Sequence, residues 1–184
     1  GGAITDWGAH HLDIVQWALG KDGSGPVAIE NLKSDMPDHK EIFNTAAHYS
    51  FEVVYEEGTR VFVSDTFPNG IKFYGEKGQT IFVTRGKLET NPPSLIRTKL
   101  GDNAVKLYKS SRHESNFIDC IFSGEPTICN VDIGHRSISI AHLANIGLRL
   151  GRTKIAWNPK TESFVNDPQA DAMRKFPMRA PWTI

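Results

Sequence analysis

The 184 residues carry 21 Lys and Arg against 21 Asp and Glu, so there is no formal net charge, and 39% of them are hydrophobic. A chain of that length and apolar content can bury one substantial core, and residues 1–184 are expected to form a single domain. The charge balance argues against nucleic acid or an anionic membrane as partner, and no apolar run approaches the roughly 20 residues of a membrane-crossing helix.

The chain opens GGAITDWGAHHLDIVQWALG, and residues 6–19 of it read as a helix. Thr5 suits the N-cap, Asp6 the positive end of the helix dipole, and Gly20 the stop. Leu12, Val15 and Leu19 recur at helical spacing, with Ile14 and Ala18 beside them. This segment lacks the basic flank and cleavage site of a secretory signal, and a helix so close to a first residue that is not methionine predicts a preceding segment. KDGSGP is a turn, and PVAIENL predicts a strand.

From about residue 45 to residue 90 the pattern changes to short runs rich in Val, Ile, Phe, Tyr and Thr, each bounded by a turn signal. Two runs meet at Glu57-Gly58, and three more are separated by Asn69-Gly70, Lys77-Gly78 and Arg85-Gly86. Their alternation predicts antiparallel strands with one packed face. Pro92-Pro93 opens an irregular connection. HESNFIDCIFSG then predicts a helix with Phe117, Ile118 and Ile121 on one side. A longer helix is expected over Asp132–Leu150, followed by a strand over Thr153–Trp157, a loop with a short helix, and an extended tail. The fold class expected is α+β, a large mostly antiparallel sheet with helices packed on one face. The apolar content of the strands suggests self-association through the sheet's other face. Cys120 and Cys129 form no CxxC or Cys/His cluster, which indicates neither a disulfide framework nor a structural zinc site; both read as small buried thiols.

Asp6, His10, Asp13 and Trp17 follow the spacing i, i+4, i+7, i+11, which stacks them in one stripe along a helix. Histidine exchanges protons near neutrality, with an ordinary pKa of about 6.5, and an adjacent carboxylate fixes its tautomer and stabilises the imidazolium. The stripe is therefore a candidate proton-transfer unit. The competing explanation is a solvated helix face with a dipole-complementing aspartate. Gly8 would leave room beside the stripe, and Gly1 and Gly2 would let the backbone bend toward a ligand. His11 lies about 100° round the helix, toward Trp7 and Val15, and ranks second as a base.

The opening segment resembles the pattern GGxxxDxGxHxxDxxxWxxG that begins the C-terminal domain of the Gfo/Idh/MocA family of NAD(P)-dependent sugar and polyol oxidoreductases. NGIKFYGEKGQTIFV is similar to that family's mid-sheet hairpin, ESNFIDCIFSGEPTICNVDIGHRSISIAHLANIGLRLGR to its later helices, and WNPKTESFVNDPQADAMRKFPMRAPWTI to the tail of a subgroup. The resemblance implies that His10 is the general base or acid at a substrate hydroxyl and that Asp6 binds or orients. Asp13, His11 and Trp7 would serve substrate binding, Asp13 either beside the catalytic pair or in an ion pair with an arginine. NAD or NADP is the implied cofactor, and a sugar or polyol the implied substrate. No GxGxxG follows a strand, and Glu76-Lys77-Gly78 lacks the proline of the family's Glu-Lys-Pro motif. The N-terminal Rossmann domain is thus absent from this chain and is its expected partner, with homo-oligomerisation through the sheet, and the chain alone is expected to be inactive.

Two further readings stand beside this one. Asp6, His10, His11 and Asp13 offer acceptable metal ligands for a hydrolase or lyase, although adjacent histidines face different sides of a helix and the preferred reading assigns no metal. A non-catalytic carbohydrate-binding or assembly module is the other. Asn69, Lys72, His113, His135 and Arg136 have the chemistry to reach a sugar hydroxyl but are equally explained by turns, caps and ion pairs. His48 reads as a sheet-face residue and His142 as a core histidine. Arg179 and Trp182 suit packing on the domain or on a neighbouring subunit. The scarcity of cysteine permits a cytoplasmic setting, and an export signal, if any, would lie upstream.

Overall fold

Side-chain periodicity and turn chemistry set most of the elements of the chain. The computed structural model describes residues 1–38 and 40–182. In chain order these hold a 3-10 turn (Gly2–Ile4), α1 (Trp7–Ala18), β1 (Ala28–Ser34), β2 (Tyr49–Val54), β3 (Arg60–Ser64), β4 (Ile71–Tyr74), β5 (Thr80–Thr84) and β6 (Lys87–Asn91). A second 3-10 turn (Pro93–Arg97), α2 (His113–Ser123), α3 (Val131–Arg149), β7 (Lys154–Asn158), β8 (Ser163–Phe164) and α4 (Pro168–Ala172) follow. The class is α+β, and every described strand pairing is antiparallel. Hydrogen bonding sorts the strands into a five-stranded sheet, ordered β3-β2-β1-β7-β8, and a three-stranded sheet, ordered β4-β5-β6. Two compact units result, Gly1–Phe67 with His135–Ile184, and Pro68–Gly134.

In the first unit, register decides which residues become core. Ile29 stands opposite Val53 on one side and Ile155 on the other, and Val53 stands opposite Val61. Because side chains alternate faces along a strand, this row lies on one face, where Ile140, Ala141, Leu143, Ala144 and Leu148 of α3 and Leu12 of α1 join it in one buried cluster. Each valine, leucine or isoleucine among them contributes about 1.5–3 kcal/mol by leaving water. Gly147 lets α3 come close: a Cβ there would lie 2.9 Å from Leu32 Cδ1 and 3.5 Å from Ile155 Cγ2. The adjacent row, Glu30, Glu52 and Phe62, takes the opposite face. Two glutamates directly opposite each other repel, but Arg60 donates to both, Lys154 lies 2.7 Å from Glu30, and Asn31 Nδ2 donates to Glu52 at 2.6 Å.

Several local expectations give way to packing. Phe117, Ile118 and Ile121 are exposed on α2, and Cys120 is its buried residue. The cysteine side is the one that meets the flanking loops: Cys120 Sγ donates to Pro126 O at 3.5 Å, while Asn116 bonds the Tyr108 hydroxyl and the Ile128 N–H. Cys129, in the loop before α3, is exposed rather than buried. His142 is exposed too, turned about 100° away from buried Ala141 on α3. His48 precedes β2 rather than lying within it, its N–H taken by the Asp35 carboxylate at 2.8 Å. β8 arises where a loop was expected, because Phe164 pairs with Trp157 and packs edge-on against its ring at 5.1 Å.

One buried polar link crosses this core. Tyr55, just past β2, donates its hydroxyl to Gln16 Oε1 of α1 at 2.7 Å, and Gln16 Nε2 donates to Lys21 O and Ser24 O at 3.1 and 3.2 Å. Both side chains are fully buried, so their polar atoms depend on each other. Tyr55→Phe should destabilise the fold by about 1–3 kcal/mol, the cost of an unsatisfied buried acceptor; an unchanged urea midpoint would show the bond to be dispensable.

A second expectation concerns pH. His48 Nδ1 donates to Asp65 Oδ2 at 2.8 Å, and this bond, with the charges of Asp35 and Asp65, raises the imidazole pKa above its ordinary value. A raised folded pKa contributes stability that is fully present below the unfolded value, about 6.5, and is lost as pH rises through the folded value. Solvent exposure of the ring keeps the effect modest. Unfolding midpoints across that window should fall more steeply in the wild type than in His48→Gln, and parallel curves would refute the linkage.

Candidate functional site

The segment before α1 is built by close backbone packing. Gly2 has φ +63°, and a Cβ on it would come within 2.5 Å of Thr45 Oγ1, so this glycine is pressed against protein. Gly1 O accepts a hydrogen bond from Asn145 Nδ2 of α3 at 3.2 Å. The room that these glycines were expected to give a ligand is filled by Thr45 and the 3-10 turn. Gly8 likewise faces that turn, its Cβ position 3.6 Å from Ala3 O and 4.0 Å from Ile4 Cγ2. Thr5 closes the turn, donating its hydroxyl to Gly2 O at 3.3 Å, and Asp6 takes the N-cap position expected of Thr5.

Leu12, Val15 and Gln16 are the buried side of α1. A helix seated on those residues turns Asp6, Trp7 and His10 outward, and all three are exposed. The Asp6 carboxylate makes no capping hydrogen bond with the helix it begins, so it is not consumed by the local role its position favours. Trp7 lies between two imidazoles: its ring is 5.9 Å from His10, edge-on at 60°, and 6.1 Å from His11 at 41°. That contact restricts how the His10 ring can turn. His11 is half-buried, and burial together with neighbouring His10 holds its pKa below the ordinary histidine value. It therefore favours the neutral imidazole, a hydrogen-bonding group rather than a charge.

Asp13 is engaged differently from the other stripe members. Its Oδ1 accepts the Ser137 hydroxyl of α3 at 2.6 Å, a pairing with serine rather than with arginine. Asp22, in the turn after α1, feels it: burial and then the Asp13 charge push the Asp22 pKa up. Asp22 Oδ1 is buried with no hydrogen-bond partner. Trp17, at the end of the stripe, is exposed.

The remaining candidates fall into separate settings. His135 and Arg136 are both held by Glu162, at 3.0 Å and 2.7 Å, and Arg136 also donates to Pro159 O at 2.9 Å. Asn69, Lys72 and His113 are exposed residues of the second unit, Lys72 Nζ lying 5.1 Å above the Tyr74 ring. Arg179 and Trp182 are exposed. Among the described residues no three His, Cys, Asp or Glu side chains are arranged to hold a metal ion. The convergence of Asp6, His10, His11 and Asp13 that the metal reading requires is not the arrangement found. Ser137 and Glu162 were not anticipated as partners. Ser137 stands 124 residues from Asp13, and no spacing signal spans that distance.

What α1 presents is an accessible imidazole, braced by an indole edge, with an uncommitted carboxylate one turn before it and an oriented carboxylate one turn after. No described helix is long and apolar enough to cross a membrane. No curated protein matches the chain. A family model described as the C-terminal alpha/beta domain of an oxidoreductase family matches residues 1–184. With that match along its whole length, the chain belongs to the Gfo/Idh/MocA oxidoreductase family, as its C-terminal alpha/beta domain.

Proposed function

We propose that this chain is the substrate-binding and oligomerisation domain of an NAD(P)-dependent enzyme acting on a secondary hydroxyl of a sugar, polyol or related compound. His10 is its general acid and base, and Asp6 orients His10 or the substrate. The observation that carries the reading is the outward display of His10 and Asp6 at the start of α1, both exposed and Asp6 making no capping hydrogen bond. A solvated helix face would share the exposure and, because residues three apart on a helix are neighbours, the Trp7 contact as well; what favours the reading is the pairing of an accessible imidazole with accessible carboxylates on either side.

The chain's own residues define its share of the chemistry. In the oxidative direction His10 accepts the hydroxyl proton as the carbon–hydrogen bond breaks, so charge does not accumulate on the oxygen. Neutral His11 and the open oxygen of Asp13 accept hydrogen bonds from neighbouring hydroxyls, and the exposed Trp7 ring supplies an apolar face for the carbon skeleton. Nicotinamide, when bound, supplies hydride acceptance. Its phosphates find no cradle among these residues, since Gly20, Gly23 and Gly25 lie in the turn after α1 and not between a strand and a helix. An N-terminal Rossmann domain is accordingly the proposed partner. Copies are proposed to associate through the outer face of the five-stranded sheet, where Phe62 is 61% exposed beside the Arg60 ion pairs.

In the full-length protein, His10→Ala should lower sugar- or polyol-dependent reduction of NAD+ or NADP+ by about 10²–10⁴-fold, with nucleotide affinity unchanged. Turnover equal to wild type across myo-inositol, D-glucose and D-xylose would overturn the assigned role. Trp7→Ala should raise KM by about 2- to 10-fold, the equivalent of about 0.5–1.5 kcal/mol of aromatic contact, with a smaller change in kcat. A fall in kcat at constant KM would place Trp7 elsewhere than on the substrate.

A further inference from the structure

We propose that Ser137 is a positioning residue for the α1 site: it holds one oxygen of Asp13 and leaves the other available to a substrate hydroxyl. This rests on the function proposed above. The Ser137 Oγ to Asp13 Oδ1 distance is 2.6 Å, within the range of a charge-assisted O–H···O⁻ bond. Ser137 is buried, 5% exposed, on α3, whose neighbouring turns Ile140, Ala141 and Ala144 are fully enclosed in the core. The donor therefore belongs to a rigid element, while the acceptor belongs to the helix that displays His10.

The geometry of that helix gives the bond its reach. Asp13 follows His10 by three residues, so the two side chains are neighbours on one face. Asp13 makes this single protein hydrogen bond through Oδ1, and Oδ2 accepts none among the described residues. Asp22 supplies the reason a donor is needed. Its carboxylate is close enough to Asp13 for the two charges to repel, and it carries a buried oxygen without a partner. Without the Ser137 hydroxyl, that repulsion would turn Asp13 off its present rotamer. With it, the carboxylate is pinned, in the way that groups surrounding a site hold its contacting residues in place.

The test uses the full-length protein with Ser137→Ala, Asp13→Ala, the double variant and His10→Ala. Ser137→Ala should reduce kcat/KM for the same three compounds by about ten- to a hundredfold, the usual effect of a small misplacement, while nucleotide affinity stays unchanged. Ser137→Ala added to Asp13→Ala should produce no additional loss, because the serine acts through the aspartate. A crystal structure of Ser137→Ala should show Asp13 in a different rotamer, a readout that needs no substrate. Activity within twofold of wild type, additive losses in the double variant, or an unmoved Asp13 would each overturn the inference. Full activity in Ser137→Ala with loss in His10→Ala would overturn the positioning role alone; loss in Ser137→Ala with full activity in His10→Ala would overturn the proton-transfer reading and leave Ser137 in place.

Discussion

The seating of α1 on the five-stranded sheet governs everything that this chain displays, and a single buried contact describes how it is held. Tyr55 and Gln16 satisfy each other in the core, and Gln16 also ties down the turn after the helix through Lys21 O and Ser24 O. Leu12 and Val15 supply the apolar part of the same surface. A helix is rigid, with successive residues about 100° apart. Once its inner side is fixed by Leu12, Val15 and Gln16, the directions of Asp6, Trp7 and His10 are fixed with it. A buried glutamine is expensive unless every polar atom is paired; here the pairing makes it a locator.

Two further links join α1 and the segment before it to α3, through Ser137 to Asp13 and Asn145 to Gly1 O. α3 is the most deeply buried helix of the first unit, and Gly147 lets it lie against Leu32 and Ile155. The outward stripe is thus referenced to the core from three directions: the sheet, the turn beyond the helix, and α3. The exposed imidazole sits on a frame that cannot rotate freely beneath it. On the opposite face of the sheet, Glu30, Glu52, Arg60 and Lys154 neutralise one another, leaving Phe62 as the large apolar side chain of that row.

Much of this architecture was legible because it is local. The turns at Glu57-Gly58, Lys77-Gly78 and Arg85-Gly86 join the expected strands, and α2 ends at Gly124 in the left-handed conformation that a terminal glycine favours. The stripe Asp6, His10, Asp13, Trp17 was legible for the same reason, since helical spacing alone places those residues together. Reading failed where the deciding contact followed no regular period. Phe117, Ile118 and Ile121 have the spacing of a packed side, yet Cys120 is the residue that its unit encloses. His142 sits among core residues in sequence and outside them in space. β8 is two residues long, too short for any periodicity, and exists because Phe164 meets Trp157.

The amino-acid order by itself determined the α+β class, the antiparallel hairpins, the helix limits to within a residue or two, and the grouping of an imidazole with two carboxylates on one helix. Each follows from dihedral preference, turn chemistry or a fixed angular period, all of which act over a few residues. Only the tertiary structure decided which of those polar groups stay open and which are engaged. Asp13 and Asp6 are the same residue type on the same helix, yet one is held by a serine 124 positions away and the other faces solvent. That difference comes from the docking of α3 beside α1, a long-range packing event driven by the burial of Ile140, Ala141 and Ala144, and no local pattern around residue 13 encodes it.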